Sequence, residues 1–126
     1  MALILIADDE EDVLSVYKTK LERSGFEVIT AANGAEAVAA VTAKHPDLIL
    51  MDMKMPVMDG IVAQQKLMEN PATKDVKVVF LTAFSDPLKL DVDEKVAKES
   101  GAVDFIKKGI NLDELVAKIK VYLEKK

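Results

Sequence analysis

The chain has no cysteine and no tryptophan, a single arginine (Arg23) and a single histidine (His45). Without cysteine there can be no disulfide framework, no thiolate metal site and no cysteine nucleophile. One arginine and a net charge of −5 leave no basic stripe of the kind that nucleic acid binding requires. No apolar run approaches the roughly 18 residues of a membrane span. The apolar opening, residues 1–7, has no basic flank and runs into acidic residues, unlike a signal peptide. These absences describe a soluble, cytoplasmic protein with no membrane segment and no direct nucleic acid contact. His45 stands before Pro46 at the end of a helical stretch, where a solvent-exposed side chain is expected rather than a phosphodonor.

What is present is a dense hydrophobic content, 50% of 126 residues. That length suits one domain, and a chain of this size buries roughly two-thirds of its unfolded surface without staples. Short apolar runs of strand type alternate five times with helical patterns. Val13, Leu14, Tyr17 and Leu21 recur at helical spacing, and Gly25 can close that helix. Residues 26–31 form the second strand. Asn33 and Glu36 have capping-box spacing before an alanine-rich helix that ends at His45-Pro46. A third helix is expected over residues 60–70, stopped before Pro71. A fourth opens at Asp86-Pro87, with Leu88, Val92 and Val96 on its buried face. Asn111 and Glu114 open the last helix, with Leu112, Leu115, Val116, Ile119 and Tyr122 as its apolar stripe.

Such a (βα)5 alternation implies parallel strands in an open doubly wound sheet, in the flavodoxin-like order 2-1-3-4-5. Residues 1–126 form one domain in this reading, with no output domain following. The strand ends carry the chemistry. Leu48-Ile49-Leu50-Met51 ends in Asp52, and Leu3-Ile4-Leu5-Ile6-Ala7 ends in Asp8-Asp9. Val78-Val79-Phe80-Leu81 ends in Thr82, and Val103-Asp104-Phe105-Ile106 ends in Lys107-Lys108. The expected order places Asp8-Asp9 and Asp52 in one crevice at the switch point. Carboxylates, a hydroxyl and an amine brought together there can hold a hard metal ion and a phosphoryl group.

These features resemble, from end to end, the receiver domains of two-component response regulators. The resemblance rests on Asp8-Asp9, on Asp52-x-x-x-Pro56-x-Met58-Asp59-Gly60, on Thr82-Ala83, and on Gly101-Ala102 ahead of Phe105 and Lys108. It implies transfer of a phosphoryl group to Asp52 from a sensor histidine kinase or a histidine phosphotransfer protein, and control of a downstream protein target by a monomer or weak dimer. Catalysis would extend only to the domain's own phosphorylation and dephosphorylation. The resemblance further implies Mg²⁺ (or Mn²⁺) held by Asp9, Asp52, the backbone carbonyl of Lys54 and, through water, Asp8. Thr82 would donate its hydroxyl to the phosphoryl group and Lys108 its charge. Thr82 and Phe105 would form the switch.

Two departures stand out. The family usually has proline after the active-site lysine, with a cis bond between them, whereas Gly109 follows Lys108 here. A cis bond before a non-proline residue costs about 3–4 kcal/mol, so a trans bond is expected, with Gly109 free to adopt positive φ and Lys108 less firmly aimed. Residues 86–100 also form a longer segment than the family norm. Lys54 and Phe84 occupy positions that flank the path of the hydrolytic water in receivers, which implies a comparatively long-lived phosphoryl group. Other readings are a pseudo-receiver, serving as a phosphorylation-independent interaction module, and a small Mg²⁺-dependent phosphohydrolase. The intact Asp8, Asp9, Asp52 and Thr82 disfavour the former. Lys54, where such hydrolases commonly carry a second acid, disfavours the latter.

Overall fold

The computed structural model describes residues 1–82 and 101–124. Five strands, β1 (Leu3–Ala7), β2 (Glu27–Ala31), β3 (Leu48–Asp52), β4 (Val78–Thr82) and β5 (Asp104–Lys107), form one sheet in the order β2-β1-β3-β4-β5. Every pairing is parallel. The doubly wound topology expected from the alternation is therefore the observed one.

β3 and β4 are buried at every position because the sheet is covered on both faces. Successive side chains on a strand point to opposite faces, and the core divides accordingly. Ile4, Ile6, Leu48, Leu50, Val79 and Leu81 pack with α1 (Glu11–Arg23) and the C-terminal helix (Leu112–Glu124). Leu5, Ala7, Ile49, Met51 and Phe80 pack with α2 (Gly34–Lys44) and α3 (Gly60–Glu69). On the C-terminal helix, Leu115, Val116, Ile119 and Tyr122 are buried as the stripe predicts, with Leu112 only partly so.

Local chemistry sets the helix ends. The Phe26 amide donates to the Leu21 carbonyl and the Gly25 amide to that of Glu22, both at 3.1 Å. This Schellman arrangement uses the Phe26 amide, so β2 begins at Glu27 rather than at residue 26. Asn33 caps α2 by accepting from the Glu36 amide at 2.9 Å. His45 ends that helix in left-handed conformation and is exposed. α3 stops one residue earlier than expected, because Asn70 is extended, as a residue before proline prefers. Asn111 accepts from the Asp113 amide at 2.8 Å and opens the C-terminal helix. The helix expected from Asp86 onward lies outside the described residues.

This topology brings four strand ends to one edge of the sheet. Asp8 directly follows β1, Asp52 and Thr82 are the last residues of β3 and β4, and Lys108 directly follows β5.

Candidate functional site

Asp52 is fixed through its backbone. It pairs with Leu81 in the β3–β4 register. The Gly60 amide donates to the Met53 carbonyl at 2.9 Å, which seats the start of α3 directly on the strand end. Asp59 caps that helix by accepting from the Val62 amide at 2.9 Å. Between them the loop passes through Val57, which is 85% exposed and has a φ of +67°. Asp52 itself is only 6% exposed. The Lys54 amide reaches its Oδ1 at 3.4 Å, so the backbone at Lys54 curls over the carboxylate.

Asp8 is fully buried, and its Oδ1 accepts from the Glu10 amide at 2.9 Å. Asp9 and Glu10 are exposed at the rim. Lys108 joins the two sides. Its Nζ lies 2.9 Å from Asp8 Oδ2, 3.0 Å from Asp52 Oδ2 and 3.2 Å from Glu10 Oε1. Lys107 points away and is exposed, so of the two adjacent amines only Lys108 enters the crevice. The amine is thus held by three carboxylates, a firmer placement than the missing proline suggested. The Lys108–Gly109 bond is trans, and Gly109 has a φ of +89°.

Burial pushes Asp52 up to about 6 against the opposing pull of Lys108, and burial likewise raises Asp8. Burial alone would lower the Lys108 ammonium, but its bonds to Asp8 and Asp52 outweigh this and raise it. The crevice therefore has surplus negative charge, with Asp8, Asp9, Glu10 and Asp52 facing one ammonium. Carboxylate oxygens of Asp8, Asp9 and Glu10 all lie within 4.8 Å of one another. An all-oxygen, carboxylate-rich set suits a hard divalent cation such as Mg²⁺. Thr82 is 1% exposed, and among the described residues its hydroxyl has no hydrogen-bond partner. A buried hydroxyl left in that condition is destabilising unless something else binds it.

Asp8, Asp52 and Lys108 thus meet directly, with Asp9 at the same rim. Phe105 is half-buried and packs against the core on the α2–α3 face. Phe84 lies outside the described residues. Glu10 was not singled out from sequence, although its place directly after Asp8-Asp9 was the available signal. The backbone turn that starts α1 brings it back over the crevice.

The profile of the response regulator receiver domain matches residues 4–120. The chain belongs to this family. As a receiver domain it serves two-component signal transduction. It is 42% identical over 126 residues to the transcriptional regulatory protein PrrA of Mycobacterium tuberculosis, covering 98% of this chain and 50% of that one. It is 33% identical over 120 residues to sporulation initiation phosphotransferase F of Bacillus subtilis, covering 95% of this chain and 92% of that one. The receiver thus spans about half the length of PrrA and nearly all of the phosphotransferase. Among solved structures, a response regulator from Chloroflexus aurantiacus superposes with a TM-score of 0.89 at 30% identity, covering 98% of both chains. The chemotaxis protein CheY4 of Vibrio cholerae gives 0.85 at 29% identity, covering 97% of this receiver and 98% of CheY4. Among the described residues no helix is long and apolar enough to cross a membrane.

Proposed function

We propose that this receiver accepts a phosphoryl group on Asp52 from the phosphohistidine of a sensor kinase or phosphotransfer protein, with Mg²⁺, and that the modification resets a protein-binding surface. The observation that carries the reading is the Lys108 amine between Asp8 and Asp52, with the Thr82 hydroxyl, unpartnered among the described residues, at the neighbouring strand end. With its carboxyl at about 6, Asp52 is mostly ionised at neutral pH and can act as nucleophile. One of its oxygens forms the bond to phosphorus as the bond to the donor nitrogen breaks, and the nitrogen keeps that electron pair. Such a transfer depends on positioning and charge stabilisation rather than on proton transfer. Lys108 supplies a fixed positive charge to the incoming oxygens, and the Thr82 hydroxyl supplies a hydrogen bond that it makes to none of the described residues.

Asp8, Asp9 and Asp52, with the carbonyl of Lys54, would hold the cation, and Glu10 lies close enough to join them. A bound Mg²⁺ would neutralise charge on the phosphoryl oxygens. Movement of Thr82 toward the phosphoryl group opens space beside Phe105, which pairs with Phe80 across β4 and β5. Inward rotation of that ring is the proposed readout.

Incubation with acetyl phosphate and Mg²⁺ tests this reading. Intact-mass analysis is expected to show one added phosphoryl group, peptide mapping to place it on Asp52, and chelation to prevent it. A parent protein that stays unlabelled would leave only the interaction-module reading. Asp9→Ala is expected to weaken Mg²⁺ binding at least roughly tenfold, a loss that even outer-shell substitutions reach. The fold should persist, since Asp9 is exposed. Calorimetric Mg²⁺ titration beside a thermal melt checks both parts.

A further inference from the structure

Glycine after the active-site lysine is this chain's clearest departure from its family, and the structure shows what that glycine does. Residues 107–110 form a turn in which the Ile110 amide donates to the Lys107 carbonyl at 3.3 Å. Gly109 has a φ of +89° and Lys108 does not share the positive sign, which makes the turn type II. The third position of such a turn accepts glycine without strain, asparagine next, and other residues poorly. No described atom lies within 4 Å of where a Cβ at residue 109 would sit. The requirement for glycine is therefore conformational and not steric.

The amide of the first central residue is engaged. The Lys108 N–H donates to the Thr82 carbonyl at 2.8 Å. With the turn closed and the Lys108 amide bound, the Lys108–Gly109 peptide plane has one favoured orientation. The lysine stem that leaves it ends with its Nζ between Asp8 and Asp52, the side chain only 13% exposed.

We propose that Gly109 is a positioning residue for phosphoryl transfer: its left-handed conformation sets the type II turn that aims the Lys108 amine into the acidic crevice, where the family otherwise relies on proline. The inference rests on the reading of Asp52 and Lys108 given above. Alanine at residue 109 favours negative φ and flips the central peptide. The lysine stem then starts from a different direction, and the amine reaches the crevice in fewer of its rotamers.

The experiment is a double-mutant cycle on the full chain, with the initial rate of acetyl phosphate labelling as the readout and a thermal melt for folding. Gly109→Ala is expected to slow labelling about tenfold, within the range that small misplacement of a reacting group produces. Gly109→Asn, which tolerates the left-handed region, should return the rate to within about threefold of the parent. In a Lys108→Ala background, Gly109→Ala should slow labelling no further, because the glycine acts through the lysine amine. An unchanged rate in Gly109→Ala overturns the proposal, as does an equal loss with and without the lysine amine, which would show an effect on the fold alone. If Lys108→Ala labels as fast as the parent, the reading of the site itself fails and the positioning role falls with it. If Gly109→Ala does not fold, Gly109→Asn and Gly109→Ser in both backgrounds decide the matter. Gly109→Ser is then expected to slow labelling more than Gly109→Asn does, and only while Lys108 is present; additive losses overturn the proposal.

Discussion

Asp52→Asn is expected to leave the domain unable to accept a phosphoryl group and, in metal-free protein near pH 7, to make it more stable. The first effect follows from loss of the carboxylate at the end of β3. The second follows from burial. Asp52 is pushed up to about 6 in the folded state, from an ordinary value of 3.8 in the unfolded chain. The folded state therefore binds the proton more tightly. Below about 4 both states are protonated and Asp52 has no effect on stability. As pH rises through about 6, the folded protein must hold a desolvated charge that the unfolded chain hydrates freely. A gap of this size corresponds to at most ~3 kcal/mol, and solvent at the crevice rim leaves about 1–2 kcal/mol. Asp8, raised by the same cause, acts with the same sign. Denaturant midpoints of the metal-free parent are accordingly expected to rise between pH 7 and pH 5, with a smaller rise for Asp52→Asn. Saturating Mg²⁺ should stabilise the parent most at pH 7 and flatten the profile, because it binds the folded, ionised crevice. A parent that is equally stable at both pH values without metal would contradict the electrostatic account.

Gly60→Ala is expected to be the most damaging small substitution in the domain. A Cβ at residue 60 would lie 2.1 Å from the Asp52 carbonyl oxygen and 3.1 Å from the Met53 Cα. These are backbone atoms of a fully buried strand end, so no side-chain rotation relieves the contact. Either α3 lifts away from β3, breaking the bond from the Gly60 amide to Met53, or the strand end bends. The first route opens the packing of Ala63 and Leu67. The second displaces the phosphoacceptor. Overpacking commonly costs about 1–3 kcal/mol and buried backbone clashes fall at the upper end, so about 3 kcal/mol is expected here. Chemical denaturation followed by circular dichroism measures it. The labelling rate should fall even where the variant remains folded. Wild-type stability together with a wild-type rate would mean that α3 sits farther from β3 than the structure places it.

The sheet order, the helix caps and the acidic crevice were legible in the sequence because each rests on a local signal. Apolar runs too short for a helix mark buried strands, and acids at two strand ends converge once the strand order is known. Asn33, Asn111 and Gly25 announce their helix ends through side-chain or backbone chemistry that needs no tertiary context. What stayed hidden depends on contacts between distant segments. Glu10 looks like one more solvated acid until the turn into α1 returns it to Lys108. The aim of Lys108 was misjudged for the same reason. The missing proline is visible in the sequence, whereas the type II turn and the Thr82 carbonyl that replace its rigidity are not.

The loop after Asp52 holds Val57, a β-branched residue, in the left-handed region, where such a side chain is strained by on the order of 1–3 kcal/mol. The loop keeps this conformation because it is tied from both sides. The Gly34 amide at the start of α2 donates to the Met58 carbonyl at 2.8 Å, and the Gly60 amide at the start of α3 donates to Met53. Two helices on the face away from α1 therefore fix the floor beside the acceptor carboxylate, and a substitution at the head of α2 will be felt at Asp52 without touching it. The ordering entropy of this loop is settled when the chain folds, and little of it remains to oppose the arrival of a phosphodonor.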